Sequence, residues 1–183
     1  MVYVFLANGF EETEAMCPID IMMRAGIEVT LVSVSDDLNV VGSHGISLKA
    51  DKRINDIALD DGLPELIMLP GGMPGTTNLL ACRPLRELIV NAFSADVPIA
   101  AICAAPMILG KLGILEGKRA ICYPGFENEL TGAKVSKILR VVTDGNIITA
   151  SGMGVATQFG LAIVKKIRSR KVAFKIARSI RFI

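Results

Sequence analysis

Apolar runs of strand length recur along the chain, at Val2–Ala7, Glu28–Val34, Glu65–Leu69, Pro98–Ile102, Arg119–Cys122, Leu139–Val142 and Asn146–Ala150. Between most of them the apolar positions fall at helical spacing. The first such stretch, Glu11–Ala25, stops at Gly26, a natural C-terminal signal, and carries Pro18, which should kink it or remove one backbone bond. Pro84–Phe93 opens on a proline suited to a first helical turn. Ala105–Leu115, Val155–Ile167 and Val172–Ile180 supply three more helices. Val40–Ala50, with Gly42 and Gly45 around Ser43 and His44, reads as a strand pair or bulged ribbon, and Asp144-Gly145 marks a second hairpin turn. Strands alternating with helices imply an α/β fold, a mainly parallel sheet covered on both faces.

The chain is 183 residues, the size of one ordinary domain, and no linker, repeat or low-complexity segment interrupts it. A single domain over residues 1–183 is expected. With 51% hydrophobic and 21% charged residues and a mean hydropathy of +0.50, disorder is excluded. The longest weakly polar run, Val97 to Gly110, is broken by Pro98 and Pro106 and is too short to span a bilayer. The N-terminus offers no basic residues before its short apolar run, and Glu11 and Glu12 follow at once, so a secretory signal is not expected either. These readings place the protein in the cytoplasm, without a membrane partner.

Cys17, Cys82, Cys103 and Cys122 are widely spaced and form no CxxC pair, so they read as reduced thiols. One histidine and no closely spaced ligand set leave no structural zinc site in the sequence, and no metal is expected. The formal charge of +2 hides an asymmetry. After Asp144 there is no acidic residue but a surplus of eight cations, and residues 1–144 carry −6. Because those cations alternate with Ile167, Val172, Phe174, Ile176 and Ile180, the tail reads as a packed helix with a solvated face, and a nucleic-acid partner is not expected.

In open parallel sheets, ligands gather beyond the carboxyl ends of the strands. Three such ends carry unusual chemistry. Cys103 lies where an apolar strand stops and a helix begins, with Ala101 and Ala105 at the small positions on either side. That is the pattern of a nucleophile elbow, and a helix N-terminus beyond it would favour thiolate, placing the pKa below the free value of about 8.5. A buried small hydrophobe is the alternative. Gly71-Gly72 follows another strand, where two backbone amides can hold an oxyanion or simply make a tight turn. Glu11, Glu12 and Glu14 follow the first strand, where carboxylates commonly serve the helix dipole, and position alone does not choose among them.

Taken in order, Gly9-Phe10-Glu11-Glu12-Thr13-Glu14, Pro18-Ile19-Asp20, Arg24-Ala25-Gly26, Leu69-Pro70-Gly71-Gly72, Ala100-Ala101-Ile102-Cys103-Ala104-Ala105-Pro106 and Thr149-Ala150-Ser151-Gly152 closely resemble the ThiJ/PfpI family, in its DJ-one clade. The resemblance covers nearly the whole chain. It implies a flavodoxin-like three-layer sandwich, a homodimer, Cys103 as the elbow cysteine and Glu14 as its buried acid. Gly71, Gly72 and Ala104 would supply the substrate or oxyanion contacts, and Arg24 would lie near the site at a dimer interface. It further implies a glyoxalase or deglycase acting on small aldehydes and dicarbonyls without a cofactor, or an oxidative-stress-responsive chaperone.

Glu14 lies two residues further along the helix than Glu12 and can turn inward beneath the strand ends, in keeping with the position the resemblance selects. Two departures from the family stand out. Tyr123 occupies the place where many relatives have a histidine, and it can donate a hydrogen bond to substrate. Ala104 follows the cysteine where the protease-like branch has histidine, which argues against peptide hydrolysis. His44 reads as an exposed turn residue, although the resemblance implies a ribbon that approaches the partner's site.

Overall fold

In the computed structural model, which describes residues 1–57 and 62–183, eleven strands and six helices follow one another along the chain. The strands are β1 (Val2–Leu6), β2 (Val29–Ser33), β3 (Asn39–Val41), β4 (Ser47–Lys49), β5 (Lys52–Arg53), β6 (Leu66–Leu69), β7 (Ile99–Ile102), β8 (Arg119–Ala120), β9 (Lys134–Val135), β10 (Val141–Asp144) and β11 (Ile147–Ala150). The helices are α1 (Glu12–Arg24), α2 (Gly75–Ala81), α3 (Arg83–Ser94), α4 (Pro106–Lys111), α5 (Ala156–Ile167) and α6 (Arg170–Ser179).

The central sheet has seven strands in the order β10-β11-β7-β6-β1-β2-β5, all parallel except the β10–β11 hairpin that turns at Asp144-Gly145. Its parallel centre, β2-β1-β6-β7-β11, is the doubly wound flavodoxin order, whose strand direction of winding reverses between β1 and β6. Side chains alternate across it. Val2, Val4 and Leu6 face a layer built from α1, α5 and α6, while Tyr3 and Phe5 face α3 and α4 on the other side. Both faces being covered explains why β1, β6, β7 and β11 are buried at every position and read as continuous apolar runs. No helix among the described residues is long and apolar enough to cross a membrane.

The predicted strands in the sheet centre are found within a residue or so. Arg119–Cys122 is corrected: only Arg119–Ala120 is strand, and it pairs with β9 outside the main sheet, since β11 occupies the place beside β7. The predicted Leu139–Val142 strand begins later, at Val141, and runs to Asp144. Ala105–Leu115 is shortened to Pro106–Lys111, because the chain turns at Gly113, in the left-handed region at φ 72°. Pro18 does not divide α1 but removes one N–H, the donor that an unbroken helix would aim at the Glu14 carbonyl. Its backbone is instead where α5 comes close, since a Cβ on Gly160 would lie 3.0 Å from Pro18 Cα. Val40–Ala50 forms the antiparallel β3–β4 ribbon, and the basic tail forms α6, with Ala173, Ile176 and Ala177 buried.

Candidate active site

The carboxyl ends of β1, β6 and β7 converge on Cys103. Its backbone is held at φ 63°, a left-handed conformation that costs a non-glycine residue energy and persists only where neighbours enforce it. The enforcement is visible: the Cys103 N–H donates to Ala150 O at 2.9 Å, and Tyr123 N–H donates to Cys103 O at 2.8 Å. The elbow therefore exists as the sequence pattern predicts, and it presents a half-buried thiol.

Glu14 projects from the first turn of α1 beneath this elbow and is 1% exposed. Gly71 N–H donates to its Oε2 at 3.0 Å, the Met153 amide also bonds to the carboxylate, and the Cys103 thiol is hydrogen-bonded to it. Only glycine fits at 71, since a Cβ there would stand 2.5 Å from Glu14 Oε2, 2.6 Å from Cys103 Cβ and 2.9 Å from Ile102 O. Burial raises the Glu14 pKa to about 7, aided by the nearby Glu11 charge and opposed by the bonds from Cys103, Gly71 and Met153.

The expectation of a low-pKa cysteine is corrected. Burial first, then the charge on Glu14 and the hydrogen bond to it, push the Cys103 thiol up to about 12, against the pull of the Ala104 and Gly72 amides. A six-residue α4 starting at Pro106 adds too little to reverse this. The two groups act as one unit that gives up its first proton near pH 7 and its second near 12. Between those limits the unit carries one negative charge, and thiolate forms when Glu14 takes the thiol proton. Alkylation of Cys103 by iodoacetamide, followed by peptide mapping, should therefore accelerate as pH rises through about 7. Acceleration only near pH 12 would show that Glu14 does not take the proton.

The glycine pair divides its work differently from the sequence expectation. Gly71 serves Glu14, whereas the Gly72 and Ala104 amides are the two directed at sulfur and so at an oxyanion formed beside it. Tyr123 is exposed beside the elbow, its ring 3.2 Å from where a Cβ on Gly152 would be. Arg24 is not brought to Cys103 within the chain. It pairs with Asp20 at 2.6 Å, ten residues beyond Glu14 and so about 15 Å further along α1.

The other two acids also part company. Glu11 caps α1, accepting from Glu14 N–H at 2.6 Å, as a helix-start carboxylate should. Glu12, at a helix start where carboxylates commonly serve the dipole, is 7% exposed and accepts from His44 N–H at 2.7 Å and Ser43 Oγ at 3.2 Å, with His44 Nδ1 2.8 Å away. Burial alone would raise its pKa, but the bonds from the His44 ring and from backbone amides outweigh it and hold the carboxyl near 2. His44 is exposed, as expected, and its pKa is raised by the bond to Glu12 and by the charge there.

This clamp ties the β3–β4 ribbon to α1. It also gathers Glu11, Glu12 and His44 so that one ligand atom from each lies within 4.8 Å of the others, a grouping the sequence spacing did not reveal. Both Glu12 oxygens are already engaged by Ser43 and His44, so an ion there would have to displace them. Met153 and Gly152, which close the far side of Glu14, were marked in the sequence at most by the Ser151-Gly152 pair.

Comparison with known proteins places this geometry in context. The sequence profile of the DJ-1/PfpI family matches residues 1–166. The chain is 34% identical to the Parkinson disease protein 7 homolog of Danio rerio, over 94% of this chain and 92% of that protein. It is 37% identical to protein DJ-1 homolog B of Arabidopsis thaliana, covering 96% of this chain but 40% of that longer protein, and it spans 45% of DJ-1 homolog A from the same plant. Among solved structures, oxidised DJ-1 of Toxoplasma gondii superposes with a TM-score of 0.92 at 34% identity, covering 98% of this chain and 96% of that one. Drosophila melanogaster DJ-1beta superposes with a TM-score of 0.92 at 30% identity, over 98% and 96% of the two chains.

Proposed function

The chain belongs to the DJ-1/PfpI family, and from that premise we propose that it is a cysteine-dependent glyoxalase- or deglycase-like enzyme acting on small dicarbonyls such as methylglyoxal, or on early glycation adducts. The observation that carries this reading is the buried Cys103–Glu14 pair, which holds one exchangeable proton near neutral pH at a strained elbow. Proton transfer from sulfur to Glu14 creates the nucleophile. The thiolate adds to the aldehyde carbon, and the resulting oxyanion is met by the Gly72 and Ala104 amides and takes a proton to give a hemithioacetal.

Glu14, ionised again, removes the hydrogen from that carbon, and the electron pair moves to the adjacent carbonyl to give an enediol. Return of the proton to the second carbon, with loss of the hydroxyl proton on the first, leaves a thioester. Water hydrolyses it, releasing a hydroxy acid and restoring the thiol. The oxidation of one carbon is balanced by reduction of its neighbour, so no cofactor is required. Conversion of methylglyoxal to lactate, followed chromatographically for wild type and Cys103→Ser, tests the reading. Equal rates in the two proteins would overturn it.

A second reading has its own support. A protonated Glu14 beside sulfur can donate a hydrogen bond to a sulfinate oxygen, the chemistry of a redox-responsive chaperone or oxidative-stress sensor, and one close structural relative is an oxidised DJ-1.

The functional unit proposed is a homodimer, supported by exposed Met16 and Met23 on α1 and exposed Val41 and Ile46 on the neighbouring ribbon. Sedimentation at micromolar concentration should give about twice the 19.5 kDa chain mass. A monomer there would remove any role for His44 or Arg24 at a partner's site.

A further inference from the structure

The space beside the Cys103–Glu14 pair is much larger than methylglyoxal needs. A cavity of about 910 Å³ opens between the segment 136–140, the Tyr123-Pro124 turn and the segment 151–155. Pockets of roughly 300–1,000 Å³ commonly hold drug-sized ligands, whereas methylglyoxal is a three-carbon molecule. The cavity adjoins the reactive pair through shared neighbours, since neither Cys103 nor Glu14 lines it. Gly152 and Met153 form part of its wall, a Cβ on Gly152 would stand 3.8 Å from Glu14 Oε1, and the Met153 amide bonds to Glu14. Tyr123, also on the lining, donates its backbone N–H to the Cys103 carbonyl.

The lining carries two cations and one carboxylate. Lys137 and Arg140 both line the cavity, both are exposed, and neither has a carboxylate partner among the described residues. The segment that carries them is anchored: Leu139 N–H donates to Ser136 Oγ at 3.0 Å, and Ser151 N–H donates to Arg140 O at 2.9 Å. The acidic residue on the lining, Glu127, is turned to the Gly125 amide at 2.8 Å. An elongated ligand with its aldehyde at Cys103, passing Tyr123 and Gly152 into the cavity, would meet the apolar side chains of Leu139 and Met153 and the two unpaired cations.

Resting on the dicarbonyl reading of the same site, we propose that the preferred substrates are α-oxoaldehydes extended by a carboxylate arm, with Lys137 and Arg140 as the specificity-determining residues. Each cation would act as a partly solvated charge, so the discrimination should be moderate and sensitive to salt.

The test compares 4,5-dioxopentanoate with its methyl ester, which has the same reacting end and no charge, on wild type and on the double variant Lys137→Gln/Arg140→Gln. Wild type should favour the acid over the ester by about tenfold in kcat/KM, mostly through KM, and the double variant should bring the ratio near one. Added sodium chloride should shrink the wild-type preference.

A second measurement needs no turnover: the rate of Cys103 alkylation by iodoacetate divided by that by iodoacetamide, which should fall about fivefold or more from wild type to variant. Failure of wild type to turn over either dicarbonyl, with the alkylation ratio still falling, would refute the enzymatic reading and leave the anion site standing. A ratio equal in the two proteins would overturn the anion site, whatever the turnover.

Discussion

Replacing Glu14 by glutamine should cost about 10²–10⁴-fold in dicarbonyl turnover while leaving the fold intact, because the amide keeps the shape of the carboxyl but cannot carry a proton between sulfur and carbon. The pH profile should change with it. In wild type the pair loses its first proton near pH 7, so kcat/KM should rise through that value and then level off. In Glu14→Gln that limb should vanish, and the Cys103 thiol, relieved of the neighbouring charge and its hydrogen bond, should titrate below about 12 in a single step.

Stability should move the other way from activity. A carboxyl whose folded pKa of about 7 lies above its ordinary value of 4.5 contributes stability that is present below 4.5 and lost as pH rises through 7. Above pH 7 the glutamine variant should therefore melt no lower than wild type, and by linkage gain on the order of 1–3 kcal/mol. Thermal unfolding at pH 8, set beside turnover and peroxide oxidation of Cys103 on the same preparation, checks all of this. Full turnover with unchanged oxidation would remove Glu14 from the site. Full turnover with altered oxidation would favour the sensor reading.

What the sequence disclosed and what it hid follow from the range of each signal. β1, β6, β7 and β11 were legible because a parallel strand covered on both faces must be apolar at every position. β5 was not, since Lys52 and Arg53 lie at the sheet edge with a polar sequence and pair with β2 through the backbone. Helix α2, Gly-Thr-Thr-Asn-Leu-Leu-Ala, has poor intrinsic propensity and is held by its place after the Gly71-Gly72 turn.

The elbow was legible because strained turns demand small neighbours, and Ala101 and Ala105 supply them. The electrostatics was not. A helix start beside Cys103 suggests a depressed pKa; the resemblance already put Glu14 beside the thiol, and the fold adds the burial that, with the Glu14 charge, reverses the shift. The role of Glu12 was hidden because its partners, Ser43 and His44, are brought by the ribbon from more than 30 positions away.

Gly71→Ala should damage both the fold and the site. The added carbon would sit 2.9 Å from the Ile102 carbonyl oxygen and 2.6 Å from Cys103 Cβ, and neither can swing aside, because Cys103 is pinned at positive φ by its bonds to Ala150 and Tyr123. Its third neighbour, Glu14 Oε2 at 2.5 Å, can move only by giving up the Gly71 amide bond that holds it. Overpacking of this kind commonly costs about 1–3 kcal/mol, and leaving a buried carboxyl short of a donor adds about as much again.

Activity should suffer more than stability. A displacement of Glu14 by even about 1 Å misaligns the proton transfer on which both the nucleophile and the enediol depend, a loss on the order of 10² or more in rate. Denaturant unfolding should show the lower midpoint with an unchanged slope, as expected when compactness is preserved. Iodoacetamide should label Cys103 without the wild-type acceleration near pH 7, because the carboxylate that accepts its proton has been moved away. A Gly71→Ala protein that kept wild-type turnover and the pH 7 step would mean that the close packing of glycine, carboxylate and thiol is not what organises the site.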